Sequence, residues 1–206
     1  MNKENLARKF DKQAKAYERR RKQLRQKEWR ERLIRGAKGT VLEVGVGAGG
    51  NFPYYPKDVI VTAVDFSKEM LSSAKEAAFE LGVRAEFVLS DIESCDFPEG
   101  SFDTIVSTLT LCGYKDPIAM LNKFNNWTKA DGQILLMEHG TSSNGLIRSV
   151  QKAVDPLFLK VVGCHQNRDM EHLFQKSGIH IIKVERHFMN MVHLVWAKPN
   201  KNNLSI

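Results

Sequence analysis

Along this chain short apolar runs alternate with segments of helical spacing. Thr40 to Val44, Val59 to Asp65, Ala85 to Leu89, Phe102 to Thr108 and Gln133 to Glu138 read as strands, each bounded by polar or glycine-rich stretches. Ser67 to Leu81 reads as a helix with Ser67 as its N-cap, and Pro117 to Trp127 as one opened by proline in its first turn. A further helix is predicted over Leu146 to Val161, kinked or split at Pro156. Ile179 to His187 and Met191 to Ala197 are β-rich and too close for a crossover helix, so they pair as an antiparallel hairpin. Strands alternating with helices predict an α/β fold: a doubly wound, mostly parallel seven-stranded sheet with a reversed C-terminal β-hairpin at one edge.

Charge divides the chain further. Residues 1 to 38 hold 15 Lys and Arg against 5 Asp and Glu, a net +10, and the remainder holds 16 against 19, a net −3. The division predicts a basic N-terminal helical cap over residues 1–38, a domain over 39–199 and a loose polar tail over 200–206. The basic excess belongs to one segment, so a nucleic-acid partner is not expected. A solvated helix over part of the pocket is the plain reading of that segment, and docking on an anionic membrane surface is the alternative. No run of about 18 apolar residues occurs and the N-terminus is charged, so a cytoplasmic location is expected. Cys95, Cys112 and Cys164 lie far apart and form no C-x-x-C pair, which predicts separate free thiols and no metal site.

Candidate chemistry starts where the first strand meets Gly45-Val46-Gly47-Ala48-Gly49-Gly50. Bare backbone there lets a nucleotide-like ligand approach closely. The spacing also satisfies a dinucleotide fingerprint with Asp65 as the ribose acid, which keeps a nicotinamide-binding oxidoreductase open. Three features weigh against that alternative. Pro53 and Pro56 leave little room for the helix whose N-terminus would hold a pyrophosphate. Glu43, two residues ahead of Gly45, would repel a pyrophosphate but suits an ammonium group. Asp91-Ile92 after the third strand adds an acid and an aliphatic face for an adenine.

These motifs, in order over roughly residues 40 to 198, resemble the class I S-adenosylmethionine-dependent methyltransferases, a Rossmann-like family. Glu43 to Gly49 is similar to the family's first motif, Asp65 to its ribose-binding acid, Asp91-Ile92 to its adenine contact, and Ser101-Phe102-Asp103 to its fourth-strand motif. The resemblance implies S-adenosyl-L-methionine as cofactor. It places Glu43, Gly45, Val46, Gly47 and Gly49 around the methionine part, Asp65 on the ribose and Phe66, Asp91 and Ile92 around the adenine. Thr108 and Leu109 would form the boundary between cofactor and substrate.

The acceptor would lie beyond the carboxyl ends of the strands, where His139 and Tyr114 are the candidate catalytic groups. Thr108 to Cys112, Met137 to His139, Val154 to Pro156 and Gly163-Cys164 with Arg168 look like the branch containing thiol S-methyltransferases, implying a small-molecule acceptor such as a thiol. C-methylation of a quinone precursor and N-methylation of a phospholipid headgroup are the alternatives within the same chemistry. An RNA-binding module would require recognition by the basic helix.

Overall fold

The computed structural model describes residues 3–201, and the expected tail beyond Lys201 lies outside them. Two helices, α1 (Lys3–Lys22) and α2 (Lys27–Ile34), precede the sheet. Then follow β1 (Thr40–Val44), β2 (Ile60–Asp65), α3 (Lys68–Leu81), β3 (Ala85–Leu89), β4 (Phe102–Thr108) and α4 (Pro117–Trp127). The chain continues through β5 (Thr128–His139), α5 (Gly145–Val161), α6 (Met170–Lys176), β6 (His180–His187) and β7 (Val192–Lys198).

The seven strands form one sheet in the order β3-β2-β1-β4-β5-β7-β6. Pairs β1–β2, β1–β4, β2–β3 and β4–β5 are parallel, whereas β7 is antiparallel to both β5 and β6. The hairpin is therefore present as expected, but only β7 runs against the rest; β6 at the edge points with the parallel strands.

Val41, Leu42, Ile105, Val106, Leu135 and Leu136 in the central strands are fully buried. Their near-continuous apolar runs are what a sheet covered on both faces requires. One layer is filled by Phe124 and Trp127 of α4, the other by Ala74 and Ala77 of α3 with Leu33 and Ile34 of α2. The Ser67 hydroxyl accepts from Met70 N, and Gly82 closes α3 in the left-handed region at φ 67°, a conformation costly for residues with a Cβ.

The structure departs from the sequence expectations at four places. The basic cap is two helices, broken where Leu24 and Gln26 adopt φ of 50° and 60°. Helix α5 runs unbroken through Pro156. Helix α6 was not anticipated; Met170, Leu173 and Phe174 bury its apolar side and the Asp169 carboxylate caps it by accepting from His172 N. Asn200, expected to open the loose tail, donates its N–H to Asn125 Oδ1 at 2.6 Å, and Lys201 Nζ donates to the Asn125 and Asn126 carbonyls.

Candidate active site

The carboxyl ends of the parallel strands open on a cleft of about 620 Å³. Its floor is the turn after β1. Gly45, at φ 61°, presents bare backbone, and a Cβ there would stand 2.6 Å from Thr110 Cγ2. Gly47 N donates to Asp65 Oδ2 at 2.9 Å while Ser67 N donates to Asp65 Oδ1 at 2.9 Å. One carboxylate at the end of β2 thus fixes both the glycine turn and the start of α3. Burial raises the Asp65 value and these backbone donors oppose the rise.

Gly45, Val46, Gly47, Asp65 and Phe66 line the cleft, as do Asp91, Ile92, Thr108, Leu109, Tyr114 and His139. Glu43 and Gly49 are placed otherwise. Gly49 packs beneath the turn, where a Cβ would lie 2.8 Å from Phe52 Cδ2. Glu43 is buried behind it, accepting from Asn51 Nδ2 and Tyr55 OH, each at 2.8 Å. Burial lifts its carboxyl to about 7, against those two hydrogen bonds and the Arg30 charge, which lower it. Both residues shape the turn without lining the cleft.

Helix α1 lies across this floor. Asp11 Oδ1 accepts from Ser67 Oγ at 2.6 Å, Phe10 stacks edge-on against Phe66 with centroids 5.3 Å apart, and Tyr17 faces Gly47. Arg30 of α2 reaches in from the other side, its Nη1 donating to Asn51 Oδ1 at 2.6 Å and to Thr108 Oγ1 at 3.4 Å. Sequence reasoning missed Phe10, Tyr17 and Arg30 as cleft residues. Arg30 carried no distinguishing signal among fifteen cations in the first 38 residues.

Beyond β4 the wall is held by a second buried carboxylate, Glu138. It accepts from Ser107 Oγ at 2.8 Å, Thr110 N at 3.2 Å and Leu111 N at 3.2 Å, which locks the loop after β4 onto the end of β5. Leu109 is held at φ 61° within that loop, a strained conformation for a leucine. The Tyr114 hydroxyl is buried, and burial pushes the phenol well above its usual value. It can donate a hydrogen bond but is poorly suited to act as a base.

Cys112 and Cys164, far apart in sequence and free thiols as expected, meet here. Their sulfurs and a ring nitrogen of His139 lie within 4.8 Å of one another on the cleft wall. Parallel pairing of β4 with β5 brings Cys112 beside His139, and the chain leaving α5 returns Cys164 to the same rim. The hydrogen bond from Cys112 holds the Cys164 thiol well below its ordinary value, with His139 and Gln166 adding to the effect. The same contact, together with burial, pushes Cys112 up.

After the glycines the chain forms only a three-residue 3-10 turn, Phe52–Tyr54, in place of the helix a pyrophosphate would need. A sequence profile described as a methyltransferase domain matches residues 42–136. The chain is 30% identical over 147 residues to a phosphatidylethanolamine N-methyltransferase of Cereibacter sphaeroides, covering 70% of this chain and 72% of that one. The chain belongs to the S-adenosylmethionine-dependent methyltransferases.

Among its other relatives, the thiol S-methyltransferase TMT1B of Rattus norvegicus is 28% identical, with 71% of this chain and 62% of that one aligned. The mitochondrial methyltransferase OMS1 of Saccharomyces cerevisiae is 27% identical over 81% of this chain, which spans 39% of it. In fold, the chain resembles a SAM-dependent methyltransferase of Aquifex aeolicus (TM-score 0.55, 20% identity, 80% of this chain and 85% of that one). It also resembles the [4+2]-cyclase SpnF (TM-score 0.67, 15% identity, 85% and 80%). Since the same fold carries a cyclase, the acceptor chemistry of this methyltransferase has to be argued from its own side chains.

Proposed function

We propose that this methyltransferase transfers the methyl group of S-adenosylmethionine to a small thiol bound at the Cys112–His139–Cys164 end of the cleft. The observation that carries the reading is the position of that cluster. A cofactor with its ribose at Asp65 and its methionine part over Gly45 and Gly47 would have its sulfonium toward the loop after β4, where these three side chains form the wall. Arg30, beside the glycine turn, suits the methionine carboxylate, and Phe66 with Ile92 suits the adenine. The protein supplies positioning and exclusion of water, which is most of what an in-line displacement needs. In the transfer the acceptor S–H would release its proton to solvent, the sulfur lone pair would form the new S–CH₃ bond, and the electron pair of the broken C–S⁺ bond would stay on the departing thioether sulfur.

The phosphatidylethanolamine relative at 30% identity supports a second reading, methylation of a lipid headgroup amine. A specific observation favours it. Leu146, Val150, Leu157 and Val161 form an apolar stripe on α5, each more than half exposed. Lys9 of basic α1 donates to the carbonyl of Lys160 in the last turn of α5, so stripe and cations share one side of the molecule. Such a face suits an anionic bilayer; no helix among the described residues is long and apolar enough to cross one.

Incubation with methyl-labelled S-adenosylmethionine and a panel of alkyl thiols, quinols and phosphatidylethanolamine vesicles separates the readings. Label on thiol sulfur is expected. Label on the phosphatidylethanolamine nitrogen alone replaces the first reading by the second.

A further inference from the structure

We propose that Cys112, His139 and Cys164 bind one soft divalent cation, zinc by its chemistry, and leave its fourth position open to the cleft. A thiol acceptor fits that position; this identity of the fourth ligand, and no other part of the inference, rests on the thiol reading above.

Two thiols and an imidazole are the donor set that zinc prefers. Tetrahedral coordination with Zn–S near 2.3 Å and Zn–N near 2.0–2.1 Å spaces neighbouring donors by roughly 3.5–3.8 Å. The three ligand atoms already lie within 4.8 Å of one another, so closing on a metal asks for a contraction of about 1.3 Å at most. Three protein ligands with the fourth direction facing a cleft is the arrangement of a catalytic zinc site, whereas a structural site is closed by a fourth side chain.

The surrounding contacts hold the three segments together. Arg168 donates from Nε to the Cys112 carbonyl at 3.3 Å, while His165 N donates to the same carbonyl at 3.1 Å. Asp155 accepts from Gln166 N at 2.6 Å and fixes the chain just after Cys164. Gln151 Nε2 donates to the carbonyls of Gly140 and Gln166, both at 3.1 Å, which ties the residue after His139 to that chain. Gln166 Nε2 donates to Cys164 Sγ at 3.2 Å, the outer-shell bond that orients a ligating sulfur. A doubly charged cation between two thiolates leaves the cluster neutral, so it does not repel a sulfonium. A metal-bound acceptor thiol loses its proton on binding and arrives as the nucleophile the transfer needs.

The test is a cobalt(II) titration of the reduced, chelator-treated full chain under argon, with S-adenosylmethionine affinity measured on the same samples. One equivalent of cobalt with thiolate-to-metal charge-transfer absorption, displaced by zinc, is expected. Cys95→Ser retains that absorption, and Cys112→Ser and Cys164→Ser lose it while keeping the wild-type circular dichroism and unfolding midpoint, which shows that they are folded. The proposal is overturned if the wild-type chain shows no charge-transfer absorption, if cobalt binds equally well to both cluster variants, or if a Cys112–Cys164 disulfide is the state that resists reduction. Methylation of a small thiol by metal-free protein as fast as by metal-loaded protein overturns the thiol as fourth ligand and leaves the thiol reading standing. Cobalt binding that an added thiol neither perturbs nor follows with methylation keeps the site and removes the thiol reading.

Discussion

Glu43 lies behind the glycine turn, and its titration reports on how that turn is built. Its carboxyl moves from 4.5 to about 7 because it is enclosed, with Tyr55 OH, Asn51 and Arg30 only partly compensating. At roughly 1.4 kcal/mol for each tenfold change in proton affinity, that rise amounts to on the order of 3 kcal/mol between protonated and ionised forms. The folded state holds this proton more tightly than the unfolded chain. Its contribution to stability is therefore fully present below about pH 4.5 and is lost as pH rises through about 7. Asp65 and Glu138 are also raised and lose stability in the same direction, whereas Asp103, Asp155, Glu171 and Glu185 are lowered and act oppositely. The readout must be the difference between wild type and Glu43→Gln. The amide does not titrate, and its NH₂ group replaces one of the two oxygens that accept from Asn51 and Tyr55, a cost that is independent of pH. In urea unfolding at pH values from 4.5 to 8, wild-type stability relative to Glu43→Gln is expected to fall by about 3 kcal/mol across that interval. A constant difference would show that Glu43 ionises freely in the folded protein, and the description of a desolvated carboxylate beneath the turn would be wrong.

Three further outcomes follow from the same geometry. Asp65→Ala removes a charge-assisted acceptor from the ribose position and is expected to weaken S-adenosylmethionine binding by about 1–3 kcal/mol in calorimetry; unaltered affinity would mean the ribose is held elsewhere. Arg30→Ala is expected to lower cofactor affinity by about 1.5–3 kcal/mol while leaving affinity for the carboxylate-free analogue 5′-methylthioadenosine unchanged, and equal losses for both ligands would assign Arg30 to scaffolding of Asn51. Replacing Leu146, Val150 and Leu157 together by serine is expected to reduce sedimentation with anionic vesicles without changing cofactor affinity, and undiminished sedimentation would remove α5 from the docking face.

The sheet was legible because its signals are local. Thr40–Val44, Ala85–Leu89, Phe102–Thr108 and Pro117–Trp127 have the predicted ends, each set by an apolar run meeting glycine, proline or a capping side chain. What escaped was decided by packing between distant segments. Pro156 stays inside α5, overriding the local signal against it. Helix α6 spans only seven residues, too few for a period of 3.6 to declare itself. The break between α1 and α2 falls in charged sequence with neither glycine nor proline to mark it. At the site, the residues that line the cleft by backbone or by strand-end carboxylate were readable from spacing. Glu43 and Gly49 share that motif but face away, since a contiguous motif does not say which of its members turns inward. The meeting of Cys112, His139 and Cys164 was invisible because it depends on the order of strands and on the return of the chain after α5.

In the proposed function the cofactor lies over the turn after β1 and aims its methyl group at the Cys112–His139–Cys164 wall. A crystal structure of the full chain with S-adenosylmethionine tests this directly. Ribose hydroxyls on Asp65, the carboxylate on Arg30 and the sulfonium methyl directed at the cluster are expected. A bound cofactor whose methyl group points toward Arg20 and Arg21 of α1, away from the three side chains, would contradict it.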